Sequence, residues 1–115
     1  MVQWGMGTFL YLIASLLLSV SPSVGFTPLK TTAKLTLDPR FTAGTVCLIW
    51  ESEDDSATPG SDCWTIENSR QRTWNKDLHL RAGDYRVWVT TVGQDEKGNA
   101  MSMASPPRVV QVRAY

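Results

Sequence analysis

Apolar and polar residues alternate along most of the chain after Lys30, and no stretch of ten residues shows helical spacing. Alternation with a period of two places every second side chain on one face, which is typical of half-buried strands. The predicted strands are 33–37, 45–50, 63–67, a short segment at 70–74, 77–80, 85–92 and 108–113. Seven or so short strands separated by turn residues predict an all-β fold, an antiparallel β-sandwich.

The amino-terminal part of the chain breaks this pattern. Residues 1–25 contain no Asp, Glu, Lys or Arg, and Phe9–Val20 is an apolar run ahead of Ser21-Pro22-Ser23-Val24-Gly25. An apolar centre followed by small residues is typical of a secretory signal peptide, so we predict cleavage before Phe26 and a single domain at 26–115. The alternative is an uncleaved membrane anchor over residues 4–20, near the lower limit of a spanning helix. Both predict a secreted, periplasmic or extracellular domain, the second one anchored.

The charge balance limits the classes of partner that the chain can bind, and the cysteine content predicts a disulfide. Eleven basic and eleven acidic residues cancel, which argues against nucleic acid as a partner. Cys47 and Cys63 are the only cysteines, and export to an oxidising compartment favours a disulfide between them, worth about 3 kcal/mol if unstrained. Strand alternation turns Cys47 away from Val46 and Leu48, and Cys63 away from Trp64. Two free thiols are the alternative.

Three short motifs resemble the fibronectin type III family, over about residues 29–112. They are Val46-x-Leu48-x-Trp50, Trp64-x-Ile66 and Leu80-x-x-Gly83-x-Tyr85. The resemblance implies an immunoglobulin-like sandwich in which Trp50 and Trp64 anchor the core, Gly83 forms a turn, and the Tyr85 hydroxyl bonds to nearby backbone. It also places the Cys47 and Cys63 strands in different sheets, where outward-facing cysteines would be too far apart to pair unless the third strand begins with a bulge or Cys63 lies in the preceding loop.

The resemblance implies a non-catalytic binding or adhesion module that recognises a protein or a glycan. A structural subunit of a cell-surface or particle assembly is the alternative. No cofactor or metal is expected. His79 alternates with Leu78 and Leu80, so it should face solvent, and no nucleophile and orienting carboxylate are spaced to work with it. The acidic run at 51–55 is interpreted as a solvated loop, since it lacks the order of a calcium loop.

One strand carries a candidate contact surface. If Tyr85, Val87 and Val89 face the core, then Arg86, Trp88 and Thr90 face outward. Aromatic and arginine side chains together are enriched at interfaces. We therefore predict a recognition surface at Arg86, Trp88 and Thr90 with Trp74 nearby; the alternative is that Trp88 is covered by an arginine stem or by the segment at 70–74.

Overall fold

The computed structural model describes residues 16–53, 59–67 and 71–114. These residues form nine strands and no helix. The strands are β1 (Leu16–Ser21), β2 (Val24–Phe26), β3 (Leu29–Leu37), β4 (Ala43–Ser52), β5 (Gly60–Glu67), β6 (Thr73–Leu80), β7 (Gly83–Gln94), β8 (Ala100–Ala104) and β9 (Arg108–Arg113). The all-β prediction is therefore confirmed.

The strands form two sheets. The three-stranded sheet has the order β1-β3-β6, and the six-stranded sheet has the order β2-β9-β7-β4-β5, with β8 also paired to β7. Every described pair is antiparallel except β2 with β9, which is parallel, so the prediction of a purely antiparallel sandwich holds only in part. Strands β8 and β9 share the same edge of β7, one after the other, and are separated by Ser105-Pro106-Pro107.

The inner faces of both sheets bury one hydrophobic core. Val87 and Val89 of β7 are fully buried, as predicted from the alternation of that strand, and Leu80 of β6 joins them. Trp50, Trp64 and Tyr85 are half-buried and pack against the core. The indole of Trp50 lies directly over Gly60, where any Cβ would collide with it, which explains a glycine at the start of β5.

The apolar amino-terminal run contributes to this core. Leu16 and Leu18 of β1 are buried, and all six residues of β1 pair with β3. Arg108 Nε donates a hydrogen bond to the Leu18 carbonyl at 3.0 Å. Cleavage before Phe26 would remove β1 and most of β2. The signal peptide and its boundary remain a prediction, and residues 1–15, which carry most of the predicted apolar centre, lie outside the described residues.

No helix among residues 16–53, 59–67 and 71–114 is long and apolar enough to cross a membrane.

Several predicted elements have different bounds in the structure. The short strand at 70–74 and the strand at 77–80 are one strand, β6, which begins at Thr73. Strands β1, β2 and β8 were not predicted. The strands that carry Trp50 and Trp64 are hydrogen-bonded neighbours in one sheet, so their predicted separation into two sheets is wrong. The predicted corner is present: the Tyr85 hydroxyl donates to the Arg81 carbonyl at 3.1 Å, after the turn at Gly83, whose φ is +147°.

A polar clasp fixes the connection between the sheets. Asp38, which is buried, accepts hydrogen bonds from the backbone and guanidinium of Arg40 at 2.7–3.0 Å. Arg72 donates from the other side to the carbonyls of Asp38 and Phe41. The hydrogen bond from the Arg40 side chain is the main cause that lowers the pKa of Asp38 below its ordinary value of 3.8, so this carboxylate stabilises the fold in its charged form.

A candidate site at an exposed disulfide

A disulfide joins Cys47 of β4 to Cys63 of β5, as predicted. The two residues lie directly opposite each other on neighbouring antiparallel strands, with their Cα atoms 4.1 Å apart. The predicted obstacle to pairing disappears because both strands belong to the same sheet. Cys63 is exposed and Cys47 is half-buried, so the disulfide lies on a solvent-facing part of the sheet.

The disulfide lies on the outer face of the six-stranded sheet, the face turned away from the core. Thr90 of β7 is opposite Cys47, and Trp88 of β7 is opposite Ile49 of β4. Because side chains two residues apart share a face of a strand, Arg86, Trp88, Thr90 and the disulfide lie together on this outer face. The structure therefore brings together three of the four residues predicted as a contact surface.

Trp88 lies at the break between β8 and β9. An open depression of about 250 Å³ beside it is lined by Glu51, Arg86, Ser105 and Pro107. Arg86 lies 3.8 Å from Glu53, an exposed ion pair that screening makes weak. Trp88 is half-buried, so part of the residue remains exposed.

Trp74 lies elsewhere. It belongs to β6 in the three-stranded sheet, opposite Leu35, and packs against the core. Its ring centroid is 6.4 Å from that of Trp64, so the prediction that it lies near Trp88 is wrong. Both tryptophans sit where the edge strands β5 and β6 of the two sheets face each other.

Lys76 of β6 lies beside this edge. Its Nζ lies 4.4 Å from the ring centroid of Trp64 and 3.8 Å from a carboxylate oxygen of Asp62. The indole nitrogen of Trp64 is buried, and it has no hydrogen-bond partner among the described residues. An unpaired indole N–H is an unused donor beside the strand that carries Cys63.

Candidate metal ligands are scarce. His79, the only histidine of the chain, is exposed on the outer face of the three-stranded sheet, opposite Lys30. Both cysteines are consumed by the disulfide. Within residues 16–53, 59–67 and 71–114, no group of three or more His, Cys, Asp or Glu side chains is placed to hold a metal ion.

Comparison with solved structures identifies proteins of similar fold. The chain superposes on superoxide reductase (neelaredoxin) from Ignicoccus hospitalis with a TM-score of 0.65 and 8% sequence identity, covering 86% of this chain and 80% of that one. A single-substitution variant of the same reductase gives a TM-score of 0.63 and 9% identity, with 95% and 88% of the two chains covered. No protein-family model and no curated protein matches the sequence. At these identities the likeness shows the fold alone.

This comparison overturns four predictions. The chain does not have the fibronectin type III fold that its motifs resembled, since its structural neighbours are superoxide reductases. The inference from that family to a non-catalytic binding or adhesion module, or to a structural subunit, is wrong too, because it depended on the fibronectin resemblance and the solved structures of similar fold are superoxide reductases. The prediction that the chain is no enzyme loses its basis too. The motif around Leu80, Gly83 and Tyr85 marks a corner of the sandwich, and it does not identify a family.

The residues of this chain do not fit a redox metal of the kind that one-electron oxygen chemistry uses. Such metals take imidazole nitrogen and thiolate sulfur as ligands, and this chain offers one exposed histidine and a disulfide. The described carboxylates form no cluster that would replace them. We therefore derive no step through a metal for this chain.

Sequence reasoning found the two cysteines but missed their setting. The position of Cys63 on the last strand of the six-stranded sheet depends on which strands pair, and pairing partners are long-range. The spacing of sixteen residues with the turn residues Pro59-Gly60 between is the one signal that favours a hairpin, and hence neighbouring strands.

Proposed function

We propose that this protein exchanges its Cys47–Cys63 disulfide with thiols of a partner protein. The observation that carries the proposal is the exposure of Cys63 on the outermost strand of the six-stranded sheet. Exposed disulfides are attacked more readily than buried ones and include the labile, regulatory and catalytic examples. The bond is therefore a reactive group as well as a cross-link.

The chemistry is a two-electron exchange. A thiolate of the partner attacks Sγ of Cys63, forms a mixed disulfide and breaks the bond to Cys47, which leaves as a thiolate and takes up a proton. The second thiol of the partner, once deprotonated, then attacks the partner's first sulfur, which is bonded to Cys63 in the mixed disulfide. This step releases Cys63 as a thiolate, which is also protonated. The partner dithiol is oxidised to a disulfide, and Cys47 and Cys63 are reduced to thiols.

The fold accommodates both redox forms. Backbone pairing holds β4 and β5 in register over eight residue pairs, from Ala43 with Glu67 to Trp50 with Gly60. The disulfide joins strands that are already paired, and it does not hold the two sheets together. Reduction therefore removes a cross-link without removing the strand pairing around it.

The outer face beside the disulfide supplies the contact surface for the partner. Thr90 lies next to Cys47 across the sheet, and Trp88 lies two residues farther along β7. Aromatic side chains on a partly open face contribute strongly to protein recognition. We assign Arg86, Trp88 and Thr90 to recognition of the thiol-bearing protein, while Cys63 does the exchange.

A matched pair of single-cysteine variants tests the assignment of Cys63. In Cys47→Ser the remaining thiol is the exposed one, and in Cys63→Ser it is the half-buried one. We expect the Cys47→Ser protein to react with a chromogenic aromatic disulfide about tenfold faster than the Cys63→Ser protein, because access controls which sulfur reacts. Equal rates, or two thiols that react only in urea, would show that the bond is a structural cross-link.

A further inference from the structure

Strand β5 leaves one of its two edges unpaired. It is the last strand in the order of the six-stranded sheet, and among the described residues it pairs with β4 alone. An unpaired edge presents backbone N–H and C=O groups that can accept another strand. Among the edge strands that the structure describes in this sheet, β5 is the one that carries a cysteine, the exposed Cys63.

The pairing of Cys47 with Cys63 shows which way the backbone of Cys63 points. Opposite residues in an antiparallel pair are about 5.5 Å apart at Cα where they exchange hydrogen bonds and about 4.5 Å apart where they do not. The observed 4.1 Å is the narrow, non-hydrogen-bonded kind. The N–H and C=O of Cys63 therefore point away from β4, toward the free edge.

Every second residue of β5 likewise directs its backbone N–H and C=O toward the free edge. Ser61, Thr65 and Glu67 have the parity of Cys63, so their side chains lie on the outer face and their backbone groups point to the free edge. An added strand would find backbone donors and acceptors at each of these positions. Its residue opposite Cys63 would present its side chain on the same face as the Cys63 sulfur.

We propose that the cysteine of the partner arrives on an extended segment that pairs as an added strand along the free edge of β5. This inference rests on the proposed exchange reaction and names the form of its substrate. A residue opposite Cys63 in an added antiparallel strand forms a hydrogen-bonded pair, with Cα atoms about 5.5 Å apart. Disulfides span about 4.4–6.8 Å between Cα atoms, so the added strand brings the attacking sulfur close to Sγ of Cys63.

The inner side of the same edge provides the surroundings of the residues next to the partner cysteine. Residues on either side of the partner cysteine would point inward, toward Trp64 with its unpaired indole nitrogen and toward Trp74 behind it. Lys76 and Asp62 flank this position as an ion pair. The substrate class that fits the free edge of β5 is an extended, cysteine-containing polypeptide.

Two N-methylated peptides test the strand pairing. The parent is an extended peptide of about nine residues with a central cysteine between two valines and polar ends. One version carries N-methyl groups on the central cysteine and on the second residue to each side, whose N–H groups would face β5. The control carries them on the residues adjacent to the cysteine, whose N–H groups would face away. Mixed-disulfide formation with the oxidised protein is followed by mass spectrometry.

We expect the first version to react about tenfold more slowly than the parent, because it loses several backbone hydrogen bonds, while the control reacts at the parent rate. Equal rates for both methylated peptides would overturn the added strand. Dithiothreitol separates the exchange reaction from the added strand. If dithiothreitol reduces the folded protein normally but the two methylated peptides react at equal rates, only the added strand is contradicted. If dithiothreitol fails to reduce the folded protein, the exchange reaction and the added strand both fail.

A variant of the protein gives the reciprocal test. Thr65→Pro removes one N–H from the free edge and leaves the pairing with β4 intact, since proline is tolerated on the outer side of an edge strand. We expect slower reaction with the parent peptide and an unchanged rate with dithiothreitol, with Thr65→Ala as the matched control. An unchanged peptide rate in a folded Thr65→Pro protein contradicts the added strand. If the Thr65→Pro protein does not fold, the two methylated peptides still test the added strand with the wild-type protein.

Discussion

The two sheets have outer faces of different character. On the three-stranded sheet the outward residues are mostly polar and bond to one another: Asp77 accepts a hydrogen bond from Thr32 at 2.8 Å and lies 3.5 Å from Nζ of Lys30. Exposed Lys34, Asn75 and His79 continue this pattern. Only Leu17, which is 60% exposed, interrupts the polar surface among the described large apolar residues of that sheet.

The outer face of the six-stranded sheet carries the other large apolar side chains that the structure shows exposed. Val24, Phe26, Val92 and Val109 are 51–66% exposed, and their strand positions place them on this face. Trp88 of β7 lies between the positions of Val92 and Val109, and Ile49 and the disulfide follow on β4 and β5, toward the opposite edge of the sheet. Large apolar patches on a folded domain often mark contact sites, and four of the five large apolar side chains shown exposed lie on this face. The difference supports the proposal that recognition and exchange use the six-stranded sheet, while the three-stranded sheet presents a solvated surface.

The largest expected effect on the free energy of unfolding concerns β1, one of the three strands of the three-stranded sheet, and compares its inner side with its outer side. Leu18→Ala should lower the free energy of unfolding by about 2–5 kcal/mol, because it removes a buried side chain. Leu17→Ala, the matched control on the outer side, should change it by less than about 0.5 kcal/mol. Urea unfolding measures both. If the exported protein begins at Phe26, the two variants will be equally stable, and β1 will not belong to the mature fold.

The next effect concerns the disulfide. Replacing both cysteines, Cys47→Ser with Cys63→Ser, should cost about 3 kcal/mol through the loss of the closed loop, and the protein should still fold. Circular dichroism and urea unfolding check this. The reduced wild type should match the variant in stability. A variant that does not fold would show that the bond is required for the fold and would exclude a cycle between two folded forms.

A smaller effect concerns the clasp that holds the two sheets together. The pKa of Asp38 is below its unfolded value of 3.8, mainly because of the hydrogen bond from Arg40, so its stabilisation is complete above that value and is lost as the pH falls through the lowered pKa. Asp38→Asn should lower the free energy of unfolding at neutral pH by about 1–3 kcal/mol. It should also make the free energy of unfolding decrease less steeply as the pH falls. Urea unfolding across the acid range measures this. Identical acid profiles for both proteins would contradict it.

The smallest effect concerns recognition. Trp88→Ala should slow exchange with a reduced, unfolded cysteine-containing protein about fivefold, because it removes an aromatic contact from the outer face of the six-stranded sheet. Lys34→Ala, on the outer face of the other sheet, should have no effect. Neither change should alter reduction by dithiothreitol. Equal slowing by both variants would remove the distinction between the two faces.

Alternation alone was enough to predict the inner side of β7. Val87 and Val89 are buried, Tyr85 forms its corner, and Arg86 and Trp88 face outward, because a period of two leaves no other arrangement once one face is buried. The amino-terminal strands were missed because an apolar run without charges fits a signal segment as well as a core strand. Leu16 and Leu18 show that its end packs into the core.

The setting of the disulfide was not predictable in the same way. Local residues predicted β4 and β5, but not that they are neighbours, and only that pairing puts Cys63 opposite Cys47 on an outermost strand. The predicted position of Trp74 was wrong for the same reason. Its strand belongs to the three-stranded sheet, and its ring packs against Trp64 of the six-stranded sheet. Pairing between distant segments depends on the packing of the whole domain, which short motifs do not encode.

The most direct test of the exchange reaction is reduction of the native protein. Oxidised protein is incubated with dithiothreitol at neutral pH, new thiols are alkylated at intervals and counted by mass spectrometry, and the fold is followed by circular dichroism. If the disulfide is an exchange group, Cys47 and Cys63 are both alkylated within minutes while the strand signal is unchanged. Resistance to alkylation until urea unfolds the chain would contradict the proposed function.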